Sequence, residues 1–331
     1  MNRDELQRQA RWFCERLDAL RTELGRVFFG HGPLVEDLVT CLVADGHVLL
    51  EGAPGLGKTV LARSVARCLE LAFARIQFTP DLMPSDITGT QVFDEQDGRR
   101  AFRFERGPVF TNLLLADEIN RATPKTQSAL LEAMQERAVT SAGVRHELPR
   151  PFLVVATQNP IEMEGTYPLP EAQLDRFLMK LVVAPPQRDE LERILGGTTG
   201  PEASQAAVVL HREELLRMQA LAREVPVGEH LLRYVAHLVR ATQPEAGEAS
   251  DETRRLVRYG TSPRGGQAML WAAKVRALWA GRFAVAREDL KRVALPCLRH
   301  RVLLSFEADA EGKAVADLLP AWLKAADQAV P

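Results

Sequence analysis

The first apolar pattern along the chain is helical. From Leu6 to Val27, apolar residues recur at alternating steps of four and three, which places them on one stripe of a helix over 4–28. Such a stripe either docks on the chain's own domain or pairs in a two-stranded coiled coil, and docking is the preferred interpretation. After a break at Gly30-His31-Gly32-Pro33, a second helix is predicted to run to about Ala44.

Short apolar runs then predict five buried β-strands. These runs alternate with helical segments and cover 47–51, 75–78, 112–116, 151–156 and 177–183. This alternation is typical of a parallel sheet covered by helices on both faces. We therefore predict an α/β core over residues 29–185, preceded by an N-terminal helix over 1–28.

Two polar segments interrupt the predicted core. Alternating apolar positions around Asp97-Gly98 and Ala142-Gly143 predict β-hairpins near 90–105 and 138–148. The first hairpin interrupts the helical part of a βα unit, so it should project from the core.

Beyond Pro185-Pro186 the strand signals disappear. The pattern predicts a separate all-α domain over 186–331, and Trp271 and Trp279, eight apart on one helix, are predicted to be core residues. The helices predicted there cover 187–195, 211–224, 228–242, 263–281, 287–304 and 311–328.

Composition sets broad limits on function. The chain has 331 residues and a formal net charge of −2, a balance that argues against a broad nucleic-acid footprint. The four cysteines show no C-x-x-C spacing and lie in apolar helical contexts, as expected of structural thiols in a reducing compartment. With neither a secretory leader nor an apolar stretch long enough to span a membrane, we expect the cytoplasm.

The strongest chemical signal is a phosphate-binding loop between the first strand and a helix. Its glycines let backbone N–H groups converge on phosphate oxygens, and the following helix presents further free N–H groups. Lys58 is placed to reach the terminal phosphates and the Thr59 hydroxyl to ligate Mg²⁺. The predicted nucleotide-binding residues are Gly52, Ala53, Pro54, Gly55, Leu56, Gly57, Lys58, Thr59 and Val60.

Polar residues follow two further strands at the same sheet edge. Asp117 and Glu118 end the third strand, where one carboxylate would hold Mg²⁺ and the next would accept a proton from an attacking water. Asn159 ends the fourth strand and would orient that water or bond the γ-phosphate. Taken alone, the Asp-Glu pair is equally consistent with a solvated strand end, and Asn159 with a turn before proline.

Two arginines are candidates for stabilising charge on the transferring phosphoryl group. Arg264 follows a helix-start signal, Ser262-Pro263, where a cation opposes the helix dipole and so indicates a partner anion. Arg176 follows Glu171 and Asp175 and directly precedes the fifth strand. The alternatives are a surface arginine for Arg264 and a plain ion-pair residue for Arg176.

Taken together, these residues resemble the MoxR family of AAA+ ATPases. Residues 52–59 match Walker A, 113–118 match Walker B and Asn159 matches sensor 1. The segment Leu169–Phe177 resembles the family's arginine-finger segment and Ser262-Pro263-Arg264 its sensor 2. The sequence segments at 78–86 and 129–136 also resemble those of the family. The resemblance covers roughly residues 27–308.

The resemblance implies an αβα core with strand order 5-1-4-3-2 and a helical lid. It also implies a ring, commonly a hexamer, with ATP and Mg²⁺ at subunit interfaces, Arg176 supplied by the neighbour and both hairpins facing a central pore. Such proteins often remodel partners that carry von Willebrand factor A domains, frequently to insert metals. One departure is Gly265-Gly266 after the sensor-2 arginine, where an alanine is usual; each glycine weakens the first helical turn by about 1 kcal/mol.

Two other functional classes compete with this interpretation. One is a nucleic-acid-dependent motor with a basic pore lining, which the overall charge disfavours. The other is a nucleotide switch that does not hydrolyse ATP, which the complete catalytic set disfavours. The candidate pore residues are Arg99, Arg100, Arg103, Arg106 and Arg145.

Overall fold

We describe a computed structural model of the chain. The structure describes residues 3–96, 99–160, 166–198 and 205–330. None of the described helices is long and apolar enough to cross a membrane.

A five-stranded parallel sheet forms the centre of the core, in the order β2 (Phe73–Gln77), β5 (Leu113–Asp117), β8 (Leu153–Gln158), β1 (Val48–Glu51) and β9 (Met179–Val182). Counting only these five strands along the chain, the order is 2-3-4-1-5, so the predicted α/β fold and the predicted order are confirmed. The inner strands β5 and β8 are almost wholly buried. The strands up to the end of the sheet are β1 (Val48–Glu51), β2 (Phe73–Gln77), β3 (Gly89–Gln96), β4 (Arg99–Arg106), β5 (Leu113–Asp117), β6 (Ala138–Ser141), β7 (Val144–Glu147), β8 (Leu153–Gln158) and β9 (Met179–Val182).

The remaining strands form the two predicted hairpins, β3 with β4 and β6 with β7. Helices cover both faces of the sheet, and a 3-10 turn at Ile119–Arg121 follows β5. The helices of this half are α1 (Arg3–Val27), α2 (Gly32–Val43), α3 (Lys58–Cys68), α4 (Pro84–Thr88), α5 (Pro124–Glu136) and α6 (Glu171–Leu174).

The C-terminal half is the predicted helical lid, and it also contains one short antiparallel ladder that was not predicted. β10 and β11 pair as a small antiparallel ladder, and α12 ends at Leu298, short of the predicted 304. Both strands are too short to show an alternating pattern. The short helix at Asp251–Leu256 was also not predicted. The elements are α7 (Arg188–Thr198), α8 (Arg212–Glu224), α9 (Glu229–Ala241), α10 (Asp251–Leu256), β10 (Val257–Tyr259), α11 (Pro263–Trp279), α12 (Arg287–Leu298), β11 (Leu303–Leu304), α13 (Phe306–Ala310) and α14 (Val315–Ala329).

The N-terminal helix docks on its own chain, as preferred from its apolar stripe. Phe13, Leu17 and Leu24 are fully buried and belong to the cluster that covers one face of the sheet and continues into the lid. Asp18 on α1 accepts a hydrogen bond from Trp279 Nε1 on α11 at 3.0 Å. The helix therefore joins the sheet-containing half of the chain to the helical C-terminal half.

The two lid tryptophans differ, and the prediction that both are core is wrong for one. Trp279 is 7% exposed, whereas Trp271 is 50% exposed. Trp271 lies at the rim of a cavity of about 600 Å³ between the lid and the amino ends of the strands. Residues eight apart on a helix differ in direction by about 80°, so the helix face that buries Trp279 does not also bury Trp271.

The buried histidine His47 makes the fold sensitive to acid. Its Nδ1 accepts from the Val154 N–H at 3.0 Å and its Nε2 lies 3.2 Å from the Met134 carbonyl. Burial, together with nearby Arg137, lowers the pKa of His47 from 6.5 to about 4. The unfolded chain therefore binds a proton at a pH where the folded chain does not, so stability falls as pH drops from about 6.5 towards 4.

We expect this histidine alone to lower the free energy of unfolding by about 2 kcal/mol between pH 7 and 5. Urea unfolding at the two pH values measures it, and His47→Gln should reduce the slope, leaving the part that buried His300 contributes with the same sign. His211 is the matched control, because the exposed Glu70 carboxylate raises its pKa and gives the opposite sign. An unchanged slope in His47→Gln would contradict the assignment.

Candidate functional site

The phosphate-binding loop has the backbone shape that its glycines predict. Gly55 and Gly57 have φ of 80° and 77°, in the left-handed region. Lys58 Nζ donates to the carbonyls of Gly52 and Ala53 at 2.6 and 2.8 Å, and burial lowers its pKa. Helix α3 begins at Lys58 without a side-chain cap, so its first N–H groups are available to an anion.

The predicted metal ligands lie side by side. Thr59 Oγ1 is 3.3 Å from Asp117 Oδ2. Buried Thr157 on β8 donates to Asp117 Oδ1 at 2.6 Å and accepts from the Glu118 N–H at 2.8 Å. Thr157 thus fixes both acidic residues from the neighbouring strand.

The Glu118 carboxylate is held by two polar neighbours. Gln77 Nε2 and Arg121 donate to its Oε2 at 2.7 and 2.9 Å. Its backbone is left-handed, with φ of 57° and ψ of 49°, a conformation that costs a residue with a Cβ about 1 kcal/mol or more. Strand β5 accordingly ends at Asp117, and Glu118 is the first residue of the turn that follows.

Asn159 completes the group at the carboxyl end of the sheet. It is 5% exposed and follows β8 directly, and the preceding Gln158 carbonyl accepts from the Gly52 N–H at 3.2 Å. The fold therefore brings together five predicted residues: Lys58, Thr59, Asp117, Glu118 and Asn159.

The two candidate arginines lie at the opposite end of the sheet. Arg176 precedes β9, and Leu178 pairs with His47 at the amino end of β1, whereas Val183 at the far end of β9 contacts the loop residue Gly52. At about 3.3 Å per residue, the stretch between Phe177 and Val183 spans about 20 Å. Arg176 cannot reach the phosphate loop of its own chain.

Arg264 lies beside Arg176 rather than beside the loop. Its guanidinium is 3.9 Å from Asp175 Oδ2 and half exposed. Both arginines line the 600 Å³ cavity at the amino ends of the strands, whose lining carries six cationic side chains and two carboxylates. The excess of cations fits an anionic ligand.

Three of the five arginines proposed for a basic pore lining have partners. Arg103 pairs with Glu105 at 3.0 Å and Arg145 with Glu147 at 2.9 Å, and the Arg106 guanidinium lies 5.3 Å from the ring centre of Phe110. The side chains of Arg99 and Arg100 lie outside the described residues. These contacts weaken the case for nucleic-acid binding.

Three residues of the site were missed in the sequence: Thr157, Gln77 and Arg75. Arg75 on β2 donates to Asp117 Oδ2 from Nε and Nη2, at 3.0 and 2.8 Å. The signal was partly present in the strand order, because β2 and β8 flank β5. Gln77, the last residue of β2, pairs with Asp117, and Arg75 lies two positions before Gln77 on the same strand. Polar residues at the end of an otherwise apolar strand mark such positions.

Arg75 competes with a cation for Asp117. We expect Arg75→Gln to lower the Mg²⁺ concentration that gives half-maximal hydrolysis by a few-fold, because Arg75 is 44% exposed and a partly solvated ion pair is worth only about 1 kcal/mol. Titration of Mg²⁺ at fixed ATP measures it. Arg63→Gln, on α3, serves as the control; an equal shift there, or a higher Mg²⁺ requirement in Arg75→Gln, would contradict the competition.

The residues present fit a magnesium nucleotide. Lys58 is tied to two loop carbonyls that compete poorly with phosphate oxygens for an ammonium. Hydroxyl and carboxylate oxygens from Thr59 and Asp117 are ligands that Mg²⁺ prefers. The arrangement can bind a triphosphate and place a carboxylate near its terminal phosphate.

Comparisons with known proteins agree with this geometry. Residues 47–179 match the family described as ATPase family associated with various cellular activities (AAA), and residues 249–322 match the AAA lid domain. Chaperone MoxR1 of Mycobacterium tuberculosis is 46% identical, over 87% of this chain and 76% of its own length. Protein MoxR of Paracoccus denitrificans is 35% identical over 97% of both chains.

A solved structure supports the same fold. It is that of a protein from Cytophaga hutchinsonii assigned as an ATPase, with a TM-score of 0.89, 37% sequence identity and coverage of 97% of both chains.

Proposed function

Because the chain belongs to the MoxR family of AAA+ ATPases and hydrolyses ATP, we propose that it does so at the subunit interfaces of a ring. In this proposal each active site combines the phosphate loop of one subunit with Arg176 of the next. The proposed ring is a hexamer, and hydrolysis drives chaperone-like remodelling of partner proteins.

Within one subunit, the proposed roles follow from position. The loop N–H groups and Lys58 would hold the phosphates, and Thr59 and Asp117 would hold Mg²⁺, which supplies positive charge against the phosphate oxygens. Glu118 would leave Gln77 and Arg121 to accept a proton from the attacking water. Asn159 would orient that water, since it is neutral and lies at the end of the next strand.

The observation that carries the proposal is the distance between the two halves of the catalytic set. Arg176 and Arg264 lie at the amino ends of the strands and the phosphate loop at the carboxyl ends. A head-to-tail arrangement of subunits brings opposite ends of successive copies together, and repeating it closes a ring. Both arginines would then act on the neighbour's nucleotide.

The β3–β4 hairpin is the proposed contact with the remodelled protein. Phe93 and Phe102 are 54% and 73% exposed and pack edge to face with ring centres 5.6 Å apart. An exposed aromatic pair on a projecting hairpin suits contact with unfolded or apolar segments. The partner we propose carries a von Willebrand factor A domain, and metal or cofactor insertion is one maturation step that such remodelling would serve.

The test of the interface site is the dependence of rate on assembly. Phosphate release per subunit is measured across a range of protein concentrations, with the oligomeric state followed by analytical ultracentrifugation. We expect turnover per subunit to rise as the ring forms. Constant turnover per subunit from monomer to ring would rule out a site completed by the neighbour.

A further inference from the structure

Arg301 is a buried lid arginine directed at the segment that carries Arg176. Its side chain is 3% exposed and its Nε donates to Asp175 Oδ1 at 2.7 Å. Nη2 donates to the backbone carbonyls of Asp175 and Phe177 at 3.0 and 2.6 Å. Nη1 donates to the carbonyl of Leu178 at 3.0 Å and to that of Cys297. All five N–H groups of the guanidinium are thereby used.

Two further lid residues bind the same segment. Ser262 Oγ, at the start of α11, donates to Asp175 Oδ2 at 2.9 Å. The Nε2 of buried His300 lies 3.0 Å from the Phe177 carbonyl, and burial holds the pKa of His300 well below 6.5, so its neutral ring donates an N–H there. Backbone carbonyls and a carboxylate on both sides of Arg176 are thus tied to the lid.

The start of α11 packs directly on Arg301. A Cβ added to Gly265 would lie 2.1 Å from Thr261 Oγ1 and 3.2 Å from Arg301 Cδ. Arg264, the residue before it, has its own guanidinium near Asp175. The segment at 175–178, the start of α11 and Arg301 therefore form one packed unit, which we call the Asp175 junction.

The Arg176 side chain itself takes no part in this network. It makes no hydrogen bond or ion pair with any described residue, and its Nε is buried without an acceptor. Its backbone is fixed on both sides while its guanidinium is free to meet a ligand. This combination is what preorganised charge stabilisation requires.

We propose that Arg301 is a positioning residue for hydrolysis in the neighbouring subunit. Through the Asp175 junction it holds Arg176 and Arg264 as one unit, so that a displacement of the lid moves the arginines offered to the next subunit's nucleotide. The inference rests on the proposed interface site. It assigns no contact between Arg301 and any nucleotide.

Mixed rings test the inference. Arg176→Ala subunits keep a complete phosphate loop and Glu118, and Glu118→Gln subunits keep a complete junction, so a mixture of the two should recover hydrolysis that neither variant shows alone. Replacing Glu118→Gln by the double variant Glu118→Gln, Arg301→Lys should lower the recovered kcat by about 10–100-fold, because lysine keeps the charge but loses the five-donor fork. Binding of a fluorescent ATP analogue to each subunit, and the KM for ATP, should stay unchanged.

The matched control is Glu118→Gln combined with Arg282→Lys, which alters another lid arginine that pairs with Asp289. It should recover hydrolysis as Glu118→Gln does. If Arg301→Lys weakens folding or ATP binding, Asp175→Asn replaces it, since the amide leaves Arg301 its backbone acceptors and removes the carboxylate charge.

The outcomes separate the two proposals. Recovery with Glu118→Gln that persists undiminished in both junction variants overturns the positioning role alone. A mixture of Arg176→Ala and Glu118→Gln that stays inactive overturns the interface site and the positioning role with it. A lower kcat with unchanged ATP binding supports both.

Discussion

Arg176→Ala should lower ATP turnover per subunit by about 10³–10⁵-fold, the range measured for arginines that meet a transferring phosphoryl group. Binding of ATP should be unchanged, because Arg176 lies at the amino ends of the strands and the phosphate loop of its own chain at the carboxyl ends. Phosphate release at saturating ATP measures the turnover, and equilibrium binding of nucleotide measures the affinity for ATP. Stability should also change little, since the Arg176 side chain has no partner to lose among the described residues.

Arg188→Ala is the matched control for that loss. Arg188 is 89% exposed and pairs with Glu192 on the same helix, so its removal should leave turnover within a factor of about two. Near-normal turnover in Arg176→Ala would remove it as the charge stabiliser. Weakened ATP binding by a monomeric Arg176→Ala protein would show instead that the arginine acts within its own subunit.

The core was predictable because its physical signals are local. The inner strands β1, β5 and β8 are buried on both faces, so each stands out as an apolar run whatever its neighbours are. The phosphate loop is contiguous in the chain, and its glycines are required by the positive φ at Gly55 and Gly57. The strand order itself came from the family resemblance, because an apolar run does not indicate which strands lie beside it in the sheet.

The missed features depend on contacts between distant residues. Leu303 and Leu304 form a strand only because β10 lies beside them, and two residues carry no alternation. Trp271 is exposed although its indole is as apolar as that of buried Trp279, because the helix face it occupies meets a cavity rather than another helix. Thr157 belongs to the site only because it bonds the Asp117 carboxylate and the Glu118 N–H, which lie 40 and 39 residues away along the chain.

The glycine at position 265 is explained by its neighbours in space. By propensity alone, a glycine in the first turn of α11 weakens the helix. The structure gives the reason for its presence, because a Cβ there would lie 2.1 Å from Thr261 Oγ1. The neighbouring Gly266 is less constrained, with the nearest side-chain atoms 3.1 and 3.2 Å from an added Cβ.

Glu118→Gln should bind ATP normally and hydrolyse it about 10²–10⁴-fold more slowly, the usual contribution of a general base. The amide has the size of the carboxylate and still offers an oxygen to Gln77, so the polar contacts around residue 118 are largely kept. The left-handed backbone at residue 118 costs glutamate and glutamine alike. What the substitution removes is the ability to take a proton from water.

Glu132→Gln on α5 is the control for that substitution, because Glu132 is an exposed glutamate outside the sheet edge. Its turnover should match that of the unaltered protein. Rapid-quench measurement of a single turnover at saturating ATP isolates the chemical step from product release. If that step is as fast in Glu118→Gln as in the unaltered protein, another group must accept the proton, and Asp117 would then be the nearest carboxylate to test. If it is slow while ATP stays bound, Glu118 is the residue that accepts the proton, and Asp117, whose Oδ2 lies 3.3 Å from Thr59 Oγ1, is left to hold the metal.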